Sequence, residues 1–191
     1  TGQILAVNEA VKIGKLVQIA CGVVYDTDNK EQIIGAEKRI AATIELINQS
    51  ESSTIVFAPY VSAVNMVAAA LEKEGFDVRK IYGEVSKSKR DEAFHWFQQA
   101  TGRRVIVAQP EAMSHGLTLT RASTIVWYAP VTKAGVFTQA NGRITRSGQK
   151  YTQVIACIEG TPTERHMYAR LKAKQSMQNL LLDRKVFRDV A

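Results

Sequence analysis

The sequence predicts an α/β fold in which a mainly parallel sheet carries helices on both faces. Two observations predict it. Five short β-branched, apolar runs recur between residues 54 and 158, and amphipathic stretches at helical spacing fill the intervals. Strands alternating with helices at this spacing form βαβ units, which place their strands parallel. The runs are also near-continuous in Val and Ile rather than alternating, as suits a sheet buried on both faces. A chain of 191 residues, 46% hydrophobic and 23% charged, is long enough for one such domain with a small appendage.

Taken in order, Gln3 to Val24 carries Leu5, Val7, Val11, Leu16, Val17 and Ala20 at helical spacing and predicts a helix. YDTDNKEQ (Tyr25 to Gln32) is a polar break, predicted as loop or linker. Gly35 to Asn48 predicts a second helix through Ile40, Ile44, Leu46 and Ile47. TIVFA (Thr54 to Ala58), closed by Pro59, is the first strand, and Val61 to Glu74 a helix stopped by Gly75. Asp77 to Tyr82 is a strand. Ser88 to Gln99 is a helix with Ser86 or Ser88 as its N-cap. RVIVA (Arg104 to Ala108), STIVWYA (Ser123 to Ala129) and TQVIACI (Thr152 to Ile158) complete the strands. A helix from about Lys133 to Ile144 precedes the last strand, and a basic helix, Thr163 to Leu182, closes the chain. Trp96, Phe97 and Trp127 are expected in the core. The resulting division is a helical lead-in and linker (1–34), the sheet domain (35–160) and the closing helix (161–191). In such sheets ligands sit beyond the carboxyl ends of the strands, so the loops after Ala58, Tyr82, Ala108, Tyr128 and Ile158 are where chemistry is expected.

Composition narrows the function classes. No apolar run approaches the roughly 18 residues of a membrane span. The start, TGQILAVNEA, has neither the basic opening nor the apolar stretch of a signal peptide, and with no initiator Met the chain reads as a piece of a longer one. Cys21 and Cys157 stand apart with no CxxC, which fits a reducing cytoplasm, and the three histidines have no metal-ligand spacing. Residues 1–100 hold 11 Lys+Arg against 13 Asp+Glu, and residues 101–191 hold 14 against 5. A second half of net +9 points to an anionic partner.

There is no GxxxxGK[ST] and no GxGxxG, so the chain has no phosphate-cradling loop of its own. Asp91-Glu92-Ala93-Phe94 lacks the preceding apolar strand that a nucleotide-hydrolysis box needs, and reads instead as acidic residues in the first turn of a helix. The informative stretch is QANGRITRSGQ, Gln139 to Gln149. Gln139, Arg143 and Arg146 are spaced by four and three residues, which on a helix places them on one face. Gly142 leaves one side open, and Ser147-Gly148 can end the helix. Two guanidiniums one turn apart suit phosphate oxygens; a solvated basic face fits the spacing equally well.

QxxGRxxRxGQ resembles motif VI of superfamily-two helicases in its Swi/Snf-type form. Other motifs of that family follow in order. TIVFAPY (Thr54 to Tyr60) resembles motif IV. Tyr82-Gly83 with Ser86, Arg90 and Phe97 resembles the family's G-S-x(n)-R-x(n)-F stretch. GLTLTRASTIV (Gly116 to Val126) resembles motif V, and Gln18 to Gly22 resembles the QI-x-x-G of the helical lead-in. There are departures. Met113 and Ser114 stand where paired glycines are usual, Thr118 replaces an Asn, and Gln109-Pro110 replaces a small hydroxyl pair that would meet a nucleic-acid phosphate. They fit a divergent member, such as a viral or mobile-element protein.

The resemblance implies the second RecA-like domain of an ATP-dependent DNA helicase or translocase, RNA also being compatible. ATP and Mg2+ would be bound mainly by a first RecA-like domain of the same parent protein, and neither by this chain alone. Arg143 and Arg146 would be arginine fingers supported by Gln139; Gly116, Thr118 and Gly142 would lie by the nucleotide. Tyr60, Ser86, Arg90 and Ser114 would meet the nucleic-acid backbone, Tyr60 with a chance of stacking on a base. The competing reading is a non-catalytic nucleic-acid-binding or regulatory module that keeps the fold. A free-standing phosphate enzyme would need a Gly-rich loop after the first strand.

Overall fold

A computed structural model describes residues 9–26, 28, 30–113 and 119–174. The elements run α1 (Glu9–Cys21), β1 (Val23–Tyr25), β2 (Glu31–Ile33), α2 (Glu37–Asn48), β3 (Ser53–Phe57), α3 (Val61–Lys73), β4 (Val78–Ile81), α4 (Lys87–Gln98) and β5 (Val105–Ala108). A 3-10 turn (Pro110–Met113), β6 (Ala122–Trp127), α5 (Ala134–Asn141), β7 (Val154–Cys157) and a closing helix, α6 (162–174), follow. The main sheet has the order β4-β5-β3-β6-β7, with every neighbouring pair parallel.

Side chains alternate across the sheet and so divide the core in two. Ile55 and Phe57 of β3, with Ile106, Ile125 and Trp127, face Phe94 and Phe97 of α4, Phe137 of α5 and Tyr168 and Leu171 of α6. Val56, Val107 and Val126 face the other way, against Val17 and Cys21 of α1, Ile47 of α2 and the Ala-rich side of α3 (Ala63, Val64, Val67, Ala68). Each such fully buried large side chain contributes about 1.5–3 kcal/mol. β3, β5 and β6 are buried along their whole length. The edge strands β4 and β7 are partly exposed, so the expectation of burial on both faces holds for the centre of the sheet.

Three expectations need correction. The first helix ends at Cys21 rather than Val24, and the polar break is not a plain linker. β1 and β2 pair as an antiparallel hairpin, Val23 opposite Ile33 and Tyr25 opposite Glu31. Gly22 (φ +81°) and Gly35 (φ +92°) let the chain enter and leave it, and a Cβ on Gly22 would lie 2.5 Å from that of Ala36. The turn is closed by Asp26, whose carboxylate accepts from the backbone N–H of Asp28 and Lys30. Second, α4 starts at Lys87, so Asp91 and Glu92 lie beyond its first turn. Third, Phe97 and Trp127 are fully buried, but Trp96 is only partly so. Its ring faces the guanidiniums of Arg79 and Arg104, 5.3 and 4.7 Å from its centroid, on the side of the sheet bounded by β4.

A buried ion pair joins α2 to α6. Arg39 of α2 donates to Glu164 of α6 at 2.8 Å and to the Tyr128 carbonyl, and lies 5.5 Å from the Tyr128 ring centroid. The same Glu164 oxygen accepts from Gly160 N and Thr161 Oγ1.

Candidate functional site at the carboxyl edge of the sheet

Because all five strands run the same way, the loops after β3, β4, β5, β6 and β7 gather on one edge. Tyr60, Ser86 and Arg90 fall on it or beside it, whereas the turns from Arg143 to Gln149 are bonded to Leu119 and Ala122 at the start of β6, toward the opposite edge. Pro59 and Tyr60 link β3 to α3, and Tyr60 is the N-cap residue of that helix. Its hydroxyl donates to the Gly14 carbonyl of α1 at 3.1 Å, and burial pushes it up to about 12. Ser86 caps α4, its Oγ accepting from Lys89 N at 3.4 Å. Arg90, one turn on, reaches across to the Ala112 carbonyl at 3.3 Å and so ties α4 to the 3-10 turn.

The stretch from Gln139 to Gln149 is the most heavily built. The helix expected to run to about Ile144 stops at Asn141 with Gly142 as its C-cap, so Gln139 lies on α5 while Arg143 and Arg146 lie in the turns that follow. Asn141 is buried with its Oδ1 accepting from Trp127 Nε1 at 2.8 Å, and the chain then leaves the helix in a series of turns. A Cβ on Gly142 would lie 3.4 Å from the Thr138 carbonyl oxygen, so its open side faces the end of its own helix. Gln149 holds the turns from below: its Nε2 donates to the carbonyls of Ala122 and Ile144, and its Oε1 accepts from Lys150 N and Tyr151 N. Gly148 (φ +93°) turns the chain into that position.

The two arginines therefore differ. Arg146 is exposed, with its Nε donating to the Gly142 carbonyl at 3.2 Å. Arg143 is 4% exposed, and its carbonyl accepts from Leu119 N at 3.0 Å. Burial, and after it the charge of Arg146, hold the Arg143 guanidinium below its ordinary value. An arginine stays charged through such a shift, so the site keeps two neighbouring cations. Gln139 and Arg143 line a pocket of about 110 Å³ with Pro110, Glu111, Met113, Val136 and Ala140. The pocket is small, but it lies where the 3-10 turn after β5 meets α5.

Ser114, Gly116 and Thr118 lie outside the described residues. Among the described residues no group of three His, Cys, Asp or Glu side chains could hold a metal ion. No described helix is long and apolar enough to cross a membrane. Gln109, which the sequence marks only as a departure from the family pattern, has a side chain that bridges two other loops. The available signal was its place directly after a strand. Arg39 and Glu164, 125 positions apart, gave none.

A parallel sheet with this strand order, helices on both faces and a motif-bearing turn after α5 defines a RecA-like domain. The sequence model of the family described as helicase conserved C-terminal domain matches residues 38–148, more than half of the chain, and the chain belongs to that family. It is similar to the DNA repair protein RAD5B of Arabidopsis thaliana, 26% identical over 147 residues, covering 75% of this chain and 12% of that one. It is similar also to the DNA excision repair protein ERCC-6-like of Mus musculus, 26% identical over 140 residues, covering 72% and 11%. The chain thus spans about an eighth of these relatives' length or less. Among solved structures, the C-terminal part of the Fun30 ATPase domain superimposes with a TM-score of 0.62 at 15% identity, over 69% of this chain and 44% of that one. The C-terminal domain of the DEAD-box protein Dbp5 does so at 0.61 and 18% identity, over 73% and 79%. These two show the fold.

Proposed function

We propose that this chain is the second motor domain of an ATP-dependent DNA helicase or translocase. In this reading Arg143 and Arg146 are the arginine fingers that complete an ATP site whose phosphate loop and metal-binding acid belong to a first RecA-like domain of the parent protein. The observation that carries the reading is the Gln139–Gln149 turn: a buried and an exposed guanidinium that interact with each other, held beside the start of β6 by Leu119 and Ala122. Binding alone has no need of a buried cation beside another cation.

The residues present fit the terminal phosphates of ATP and not its metal. Arg143 and Arg146 supply fixed positive charge, Gln139 a donor beside them, and no acidic cluster is described for Mg2+. ATP, when bound, supplies the phosphoryl group whose transfer builds negative charge. The chain's part is to place cations where that charge grows, which lowers the barrier to the transition state more than it tightens ground-state binding. DNA lies against the loops of Tyr60, Ser86 and Arg90, and the basic second half supports that contact. Closure of the cleft between the domains on ATP couples the two sites.

The test uses the chain alone. It is expected to bind DNA without sequence preference, with affinity falling steeply as salt rises, because neutralised phosphates release counterions. It is expected to hydrolyse ATP no faster than background. Steady turnover lost on Arg143→Ala would mean that a complete site lies within the chain. Absence of DNA binding at low salt would assign the basic surface to another domain.

A further inference from the structure

We propose that Gln109 is a brace that fixes the relative positions of the loops meeting nucleic acid, a positioning residue rather than a contact. The inference rests on the functional reading above and adds the residue that sets its geometry.

Gln109 follows β5 directly and uses all four of its polar groups within the protein. Its backbone N–H donates to the Ile81 carbonyl at the end of β4 (2.8 Å), and its carbonyl accepts from Ala112 N in the 3-10 turn (3.1 Å). Its Oε1 accepts from Gly83 N at 3.2 Å, and its Nε2 donates to the Pro59 carbonyl at 3.3 Å. One carboxamide thus bridges the loop after β3, which leads into Tyr60, and the loop after β4, which leads into Ser86. Its backbone holds the 3-10 turn, to which Arg90 is also tied. The orientation of the amide is set by its partners: Gly83 offers only a donor and Pro59 only an acceptor.

No other side chain satisfies both. Ser or Thr is too short to span the two loops, and Asn is shorter by a methylene. Glu would accept from Gly83 but set a second oxygen against the Pro59 carbonyl. The hydroxyl pair that related helicases carry at Gln109-Pro110 would face a phosphate directly; here the position is turned inward to the protein. The contact with the backbone of the nucleic acid then falls to the flanking loops, and its strength depends on their being held in place before the ligand arrives. Loops freed of the brace must be ordered on binding, which costs affinity.

The experiment compares the wild-type 191-residue chain with Gln109→Ala, Gln109→Thr and Gln109→Met. It measures binding to a fluorescein-labelled DNA oligonucleotide at low salt, thermal midpoints, and Gly83 amide hydrogen exchange without DNA. A loss of about 3- to 10-fold in DNA affinity is expected for both Ala and Thr, on the order of the ordering cost of one side chain. Gly83 exchange should be faster in both. Met fills the same space without bridging and should weaken binding like Ala, which keeps the test valid if Ala unfolds the chain. Recovery of affinity in Gln109→Thr would identify a direct phosphate contact and overturn the brace. So would unchanged affinity in all three variants while the wild type binds. A wild-type chain that binds no DNA would instead defeat the functional reading, and the brace with it.

Discussion

Arg39 and Arg143 are both buried cations, 9% and 4% exposed, and the fold surrounds them in opposite ways. Arg39 has a carboxylate at 2.8 Å, a backbone carbonyl and an aromatic face. Its charge is answered from within the chain, and its work is to hold α2, the end of β6 and α6 together. The charge that shifts Arg143 is that of another cation, Arg146. Arg143 is buried while Arg146 beside it is exposed, and a buried charge perturbed by desolvation and by a neighbouring charge is the kind of group that clusters at functional sites. One arginine ties three elements together; the other stands beside a second cation, in the turn proposed to meet ATP.

The largest effect that would break this contrast is kinetic. In the parent protein, Arg143→Ala and Arg146→Ala are each expected to lower ATP turnover by about 10³- to 10⁵-fold, the range of an arginine finger. DNA affinity should stay within about two-fold, and Lys should rescue poorly because it cannot reproduce the planar fork. Steady-state kinetics with both ligands varied checks this; an Arg146→Ala parent of normal turnover would make that residue a solvated charge.

Stability sharpens the same contrast. Glu164→Ala leaves Arg39 buried without its carboxylate and is expected to destabilise the domain by about 3–5 kcal/mol. Arg143→Met is expected to cost less, since it strands no buried carboxylate as Glu164→Ala strands a buried cation, and it removes the repulsion from Arg146. Urea unfolding of the two variants measures the difference directly, and equal losses would erase the distinction drawn between the two arginines. A smaller effect is expected at Gly160, where a Cβ would lie 2.7 Å from Arg39 Nη2. Gly160→Ala should cost about 1–3 kcal/mol as the clamp shifts, read in the same titration.

A last effect concerns buried groups that are neutral. Burial pushes the Cys21 thiol up to about 12 although Arg39 pulls it down, and pushes Cys157 up to about 11 and Tyr60 up to about 12. In the unfolded chain the thiols ionise near pH 9 and the phenol near pH 10. The folded state therefore holds its protons longer, and this contribution is complete below about pH 9. It is expected to be lost progressively as pH rises from 9 to 12. Unfolding free energies measured across that window check the sign; a rise with pH would contradict it.

Much of the fold was legible because its signals are local. β3, β5 and β6 are central strands, buried on both faces, and so read as the Val and Ile runs of TIVFA, RVIVA and STIVWYA. The hairpin was not legible because each strand has three residues and the pairing depends on two positive-φ glycines and a carboxylate turn. The arginine turn shows where periodicity misleads. Spacing by four and three predicts a continuous helix to about Ile144, but α5 ends at Asn141, whose side chain is engaged by Trp127, fourteen positions away. The identity of the motif residues could be read from the sequence; their arrangement depended on partners far along the chain. Trp96 fits the same rule, since its exposure follows from lying beside an edge strand, a fact of topology rather than of its own surroundings in sequence.

The bond from Trp127 to Asn141 has one more consequence. The indole lies between Phe57 and Phe137, with ring centroids 4.9 and 4.7 Å away, and its single N–H is held by the residue two positions before Arg143. The domain therefore contains an intrinsic optical reporter wired to its arginine turn. With Trp96 replaced by Phe, the remaining emission comes from Trp127 alone, and any anion that draws the turn inward changes the hydrogen bond the fluorophore makes. Occupancy of the site becomes readable in unlabelled protein, as a shift in colour.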